Sequence, residues 1–323
     1  MKDLTQGSVT RHLLHMSAFL AMSMAVQTLY LLADLYWVGH LGKEAIAAVG
    51  VAGNMTMIVL ALTQMLGVGT TTLISQAAGR KDQPRAELAF NQSFIMSILI
   101  AVALGIVGFL LRPAYCDWLS ADAATATLAK AYLLWFLPGL LLQFPLVALG
   151  SALRATGIIK PAVGFQVLSV LLNIVLAPLL IFGIGPWPRL GVTGAAMATF
   201  ISILVADVLI VIYFEKKYHY LRFRFPLFTP QPKIWGGMLR IGVPAGAEFV
   251  LLFVYIMIVY AIIRGFGPEA QAGFGIGARV MQALFCQSWR SASLFRRWSG
   301  RTSAAAAPLE SAILSIQRLA LPR

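Results

Sequence analysis

Three carboxylates stand in runs too apolar to hold a charge without cost: Asp34 in "LYLLADLYWVGHLG" (29–42), Asp207 in "ILVADVLIV", and Glu248, which follows "IGVPAG". A charged carboxylate at the centre of a bilayer costs roughly 2.5–3.5 kcal/mol even on insertion scales, so it normally meets a wet cavity, a partner or a proton. Tyr30 precedes Asp34 by four residues and shares its helix face. A phenol there can donate a hydrogen bond to the charged carboxylate or complete a small polar pocket. The chemistry such groups support is capture and release of a proton or a cation. Each has a plainer alternative: Asp34 reaching interfacial water near the end of its span, Asp207 paired with a buried polar neighbour, Glu248 as a helix-packing or interface residue.

Bond-making chemistry finds no support. Cys116 and Cys286 form neither a disulfide framework nor a metal-ligand spacing. His12, His15, His40 and His219 never combine with carboxylates at a zinc-like spacing, and the chain has no phosphate-binding Gly-rich loop and no nucleophile elbow. The expectation is a protein that is not an enzyme and has no cofactor and no structural metal.

The elements that must position these residues follow from composition. Of 323 residues 59% are hydrophobic and only 11% charged, against roughly 25% charged in soluble domains, and the mean hydropathy is +0.81. Apolar segments of about 20 residues or more, the length a spanning helix needs, run near 12–37, 46–77, 91–114, 128–153, 161–184, 190–214 and 240–264, and an eighth starts near 270. This is an all-α polytopic membrane protein. The first run is too long for a secretory leader and lacks a small-residue cleavage site, so it is expected to stay as an anchor.

Lys and Arg in the connections set the orientation. Placing the N-terminus in the cytoplasm gives that side thirteen basic residues, among them Arg80, Lys81, Arg85, Arg154, Lys160, Lys216, Lys217, Arg222, Arg224, Lys233 and Arg240. The other side receives five: Lys43, Arg112, Lys130, Arg189 and Arg264. The net charge of +13 therefore reads as topology, with loops such as "EKKYHYLRFRF" near anionic lipid, and calls for no nucleic acid. Tyr36, Trp37, Trp187 and Trp235 fit interfacial anchors.

A repeat is present. "LGKEAIAAVGVAG" (41–53) aligns with "FGPEAQAGFGIGA" (266–278), so that Gly42, Glu44, Ala45, Ala47 and Gly50 meet Gly267, Glu269, Ala270, Ala272 and Gly275 at an offset of 225 residues. Six predicted spans separate the copies. An even number makes them parallel repeats, a construction in which two halves enclose a central cavity and rock about it. At the same offset Asp34 meets Val259 and Glu248 meets Ser23, so the halves do not duplicate a site.

With "LADLYWVGHLGKEAIAAVG", "GVGTTTLISQAAGRKD", "LGSALRATGIIKP", "LNIVLAPLLIFG" and "GVTGAAMATF" in this order and spacing, the sequence resembles the multidrug and toxic compound extrusion (MATE) transporters from about residue 8 to 285. The resemblance implies two six-helix lobes, and export of organic, often cationic and amphipathic compounds in exchange for H+ or Na+ across the inner (plasma) membrane. It implies a complete N-terminal lobe (1–220), a cytoplasmic inter-lobe linker (221–239) and the first one to two helices of the second lobe (240–285). It also assigns Tyr30, Asp34, Asn173 and Thr199 to a cation or proton site; Glu248, about one turn short of an acid in some relatives, and Asp207, which matches no role in the family, are candidate cavity carboxylates from their apolar setting. Carboxylate, amide and hydroxyl oxygens suit Na+, and the same carboxylate can take a proton. One departure bears on the choice: where many relatives have a second acid four residues after the Asn, this chain has Ala177, followed by Pro178. One negative charge fewer favours the proton. The implied partners are the bilayer and small organic substrates, with no obligate protein partner. A lipid-linked oligosaccharide flippase of a related superfamily and a non-transporting membrane fragment stay open as alternatives.

The tail departs from all of this. Residues 286–323 replace an apolar helix with six arginines, no lysine and many serines, and Arg290, Arg296 and Arg297 would make a spanning helix costly. A frameshift after Phe285 would account for it, and the chain is then expected to be truncated and inactive alone. With legitimate codon choices for residues 285–304, restoring one base gives an apolar continuation that ends in GQNFG, opposite "SQAAG" (75–79) at the same 225-residue offset. The nucleotide sequence is expected to show that continuation. Its absence from the alternative frame would dispose of the frameshift.

Overall fold

The computed structural model describes residues 36–120, 123–184 and 188–263. Residues 36–39 are helical, and six long helices follow: α1 (Lys43–Gly79), α2 (Gln83–Leu119), α3 (Ala123–Ala155), α4 (Ile159–Phe182), α5 (Val192–Lys216) and α6 (Pro232–Ile263). A single 3-10 turn, Phe225–Phe228, lies between the last two. α1 to α5 are each long and apolar enough to cross a membrane. At 37 residues each, α1 and α2 would be about 55 Å long. That exceeds the ~30 Å hydrocarbon layer, so their ends reach beyond it or the helices tilt.

Local chemistry sets the turns. α1 stops at "GRKDQP": Lys81 adopts the left-handed region (φ 58°), and the amides of Lys81 and Asp82 return to the carbonyls of Ala78 and Ala77. Asp82 then caps α2 by accepting from the Arg85 amide at 3.1 Å, with Pro84 in the first turn, the arrangement that satisfies an otherwise orphaned helix N-terminus. α3 closes at Gly157 (φ 86°), where Ile158 N–H donates to the Leu153 carbonyl at 2.9 Å.

α3 is the central staff of the bundle, packed by α1, α2 and α5, while α4 lies on α5 and α6 lies on α1. Its interior is built from Tyr132, Leu133, Leu140, Phe144, Leu149 and Leu153. Lipid-facing surfaces stay apolar, as at Val102, Ile106 and Leu110. Without a hydrophobic drive between helices in lipid, close packing and buried hydrogen bonds must hold them together. Close packing is supplied where α6 crosses α1. A Cβ on Gly242 would lie 2.1 Å from the Met65 carbonyl oxygen, and one on Gly69 would lie 2.6 Å from that of Met238. The two helix backbones touch there, in the half of the bundle that carries Arg80, Lys81, Arg85, Lys233 and Arg240.

The sequence places the start of the third span near 91 and that of the seventh near 240. The helices begin at Gln83 and Pro232. In both cases the extra turns carry polar or charged residues that read as loop. The last eight residues of the expected linker, 232–239, are therefore helical, and an extended stretch with one 3-10 turn remains before them. Most of the first span, the second repeat copy (266–278), the eighth span and residues 286–323 lie outside the described residues.

Candidate functional site

α4 and α5 run side by side and carry the polar pair that the sequence singles out. Gly194 lets them approach: a Cβ there would sit 2.5 Å from the Leu180 carbonyl oxygen. The chain between them returns onto the end of α4, with the Leu190 and Gly191 amides donating to the Leu180 and Ile181 carbonyls at 3.0 and 3.1 Å. This gives "GVTGAAMATF" a physical meaning, because the glycine fixes the register that brings position 199 opposite position 173.

Asn173 and Thr199 are both buried, and Asn173 Nδ2 donates to Thr199 Oγ1 at 3.0 Å. The hydroxyl in turn donates to the Ala195 carbonyl one turn earlier, at 3.2 Å. Since the bond between the side chains uses the amide nitrogen of Asn173, its carbonyl oxygen is the group left to accept a proton-bearing donor or to ligate a cation. Pro178 lies inside α4 and has no N–H, so it cannot bond the Ile174 carbonyl one turn back. That supplies a second hard oxygen on the adjoining turn. Ala177 is buried on the face of Asn173, so the position where many relatives have an acid is filled here by a methyl group.

The two remaining carboxylates differ. Asp207 lies on the same buried stripe of α5 as Thr199, Ser202, Ile203 and Ala206. It is 7% exposed, and neither carboxylate oxygen has a hydrogen-bond partner among the described residues. The buried polar partner that the plainer reading of the sequence supplies is therefore not found among them. Glu248 is exposed on α6. Asp34 and Tyr30 lie outside the described residues, as does Trp187. The described part of the first span ends against α4, with the Trp37 and Phe182 rings edge to face at 6.0 Å.

Sequence reasoning missed a second polar cluster, where α2 clasps the chain that leads into α6. Asn91 Nδ2 donates to the Arg222 carbonyl at 2.9 Å, and the Arg224 amide donates to Asn91 Oδ1 at 3.0 Å. Gln92 Nε2 donates to the Leu227 and Thr229 carbonyls at 2.6 and 2.7 Å, while the Gln231 amide donates to Gln92 Oε1 at 2.9 Å. Glu87, buried, pairs with the Arg224 guanidinium at 3.0 Å. Phe90, Phe94, Phe214 and Phe223 pack together beneath. The amides act as surrogate backbone for a segment that has one 3-10 turn and no α-helix of its own, which is how buried polar groups are normally satisfied. The signal was present in "ELAFNQ": three polar residues spaced 0, 4 and 5 on one side of a helix.

A bundle of bilayer-long helices with a hydrogen-bonded polar pair buried between two of them is a polytopic membrane protein with an internal polar site. The comparisons narrow this class. A family model described as MatE matches residues 20–179. Curated relatives include an FAD transporter of Shewanella oneidensis, 28% identical over 290 residues, covering 88% of this chain and 64% of the relative. Another is a probable multidrug resistance protein, YpnP, of Bacillus subtilis, 28% identical and covering 86% and 61%. Among solved structures, a MATE protein in complex with MaD3S matches with a TM-score of 0.87 at 28% identity, over 98% of this chain and 71% of that one. The outward-facing conformation of a multidrug resistance MATE transporter of the MOP superfamily matches with a TM-score of 0.83 at 28% identity, over 97% and 70%. In sequence and fold the chain is similar to the MATE transporters, which are multi-pass membrane proteins. It spans 61–64% of the length of these curated relatives.

Proposed function

We propose that this chain contributes the N-terminal lobe and the beginning of the second lobe of an antiporter that exports organic, often cationic and amphipathic compounds in exchange for H+ or Na+. The observation that carries the reading is the buried Asn173–Thr199 pair. It is a hard-oxygen site inside the bundle on two helices that bear family landmarks, "LNIVLAPLLIFG" and "GVTGAAMATF", with no catalytic constellation beside it among the described residues. Asp34, and Tyr30 on its face, complete the site in this reading. The methyl group at Ala177 leaves Asp34 without a second acid there, which favours H+ over Na+. The N-terminus and the basic end of the bundle face the cytoplasm, in keeping with thirteen basic residues against five. In that orientation the α1–α6 backbone contact closes the cytoplasmic end.

The test is dye efflux from proteoliposomes carrying this lobe with a complete second lobe, under an imposed proton gradient and then an imposed sodium gradient. Export driven by the proton gradient is expected. Asn173→Ala and Thr199→Ala each remove a partner of a buried hydrogen bond, worth about 1–3 kcal/mol. The half-saturating ion concentration should rise roughly five- to 150-fold before expression suffers. Unchanged sodium and pH dependence in both variants would remove the pair from the coupling site.

A further inference from the structure

Asp207 has no place in the site built from Asn173 and Thr199. It lies eight residues further along α5, about 12 Å nearer the basic end, within the same buried stripe. We infer that Asp207 is a second proton-binding site of the lobe, holding its proton as a neutral carboxylic acid in this packing.

The argument begins with what surrounds the carboxyl group. α5 packs on α3 and α4, and on α2 through the stacked Phe90 and Phe214 rings, which set residue 207 level with a stretch of α2, "SFIMSILIA" (93–101), that has no charged or titratable side chain. Gly139 of α3 abuts Phe200 of α5, and those two helices run parallel, so residue 207 is level with Leu146. On α4, which runs antiparallel, the Asn173–Thr199 bond and the Gly194–Leu180 contact set residue 207 level with Phe165 to Val167. Within a turn of these levels the stretches "LQFPLVALG" (142–150) and "PAVGFQVLS" (161–169) contain no charged and no titratable side chain. The nearest on either helix are Arg154 and Lys160, toward the ends. On α5 itself the nearest is Tyr213, almost two turns away.

Among the described residues a carboxylate in such a place has nothing to offset its desolvation. Neither oxygen has a hydrogen-bond partner among the described residues, and an ion buried unpaired is strongly disfavoured. A hard cation does not solve the problem, because it needs several oxygen ligands converging on it, and a lone carboxylate supplies two. A proton solves it with one covalent O–H bond and no further ligand. The proton comes from water and returns to water in whatever packing wets the stripe. A neutral acid in one packing and a carboxylate in another is the differential that lets a proton bias a two-state protein. The site stands without any transport assignment, but its part in coupling rests on the antiport reading above.

The experiment that separates the two is infrared spectroscopy of the full chain in lipid nanodiscs near neutral pH, with the carboxyl carbon of aspartate isotopically labelled. The expected result is a labelled neutral-acid carbonyl band that persists in Asp34→Asn and is lost in Asp207→Asn. A labelled acid band left unchanged by Asp207→Asn would overturn the site. Should Asp207→Asn fail to fold, Asp207→Glu is expected to move the signal into a glutamate-labelled sample, and its persistence under aspartate labelling would be equally fatal. In proteoliposomes with a complete second lobe, losing one coupled proton should lower the steady-state accumulation ratio about tenfold per pH unit of gradient. Loss of the band with unchanged accumulation would remove Asp207 from coupling.

Discussion

Replacing Gly242 with leucine is expected to part α6 from α1 and, in a version with a complete second lobe, to abolish transport while most of the lobe stays folded. Even the Cβ of the new residue would fall 2.1 Å from the Met65 carbonyl oxygen, and 2.9 Å from its carbon. Backbone cannot yield as a flexible side chain can, so a whole helix must move. Interaxial distances lie between 8 and 10 Å according to the side chains at the contact. A glycine contact sits at the short end, so the helices should separate by roughly 2 Å or more. Overpacking of this kind costs about 1–3 kcal/mol, and the cost falls on one interface. Spin labels on the exposed Lys81 and Lys233, near the basic ends of α1 and α6, would read the separation directly. An unchanged distance distribution with unimpaired efflux would show that the contact is not a closed gate. Gly69, whose Cβ would meet the Met238 carbonyl, should behave in the same way.

That seam was not legible in the sequence, and the reason is instructive. Gly69 stands among "GVGTTT" and Gly242 among "RIGVPAG", each in an apolar helix where a glycine equally suits a lipid-facing position. Only the crossing of two helices distant in sequence gives them a role. The spans themselves were legible because the bilayer imposes one strong requirement, about 20 apolar residues, which this chain meets repeatedly. Their polar ends were not. Glu87 reads as loop, and Asn91 and Gln92 as polar residues at the edge of a span, until the partners at Arg222, Arg224, Leu227, Thr229 and Gln231, more than a hundred residues away, are in place. Asn173 and Thr199 were found through the family resemblance, and nothing in their spacing alone would have paired them across 26 positions. Asp207 was visible as an anomaly, a carboxylate among valines and leucines. The level of its neighbours on α3 and α4, which makes it a proton site, needed the helix registers.

Asp34→Asn is expected to eliminate ion-driven export altogether in a version with a complete second lobe, leaving insertion and folding largely intact. The substitution keeps the size and most of the hydrogen-bonding capacity of the side chain and removes only its ability to change charge. A secondary transporter needs its coupling group to favour different packings in its two states, and a group that cannot take up or release a charge has no differential to offer. Asp207→Asn does not have so severe an effect in this account, because it removes one proton from the cycle and leaves the ion site at Asn173 and Thr199 standing. Asp34→Glu retains a titratable group on a longer arm and should keep measurable proton-driven efflux, which separates a charge requirement from a shape requirement. Binding of a fluorescent substrate without a gradient should survive in Asp34→Asn, since the polar pair and the apolar walls persist. Gradient-driven export by Asp34→Asn equal to that of the parent would place the coupling group elsewhere, and with it the reading of the whole N-terminal lobe as the ion-binding half.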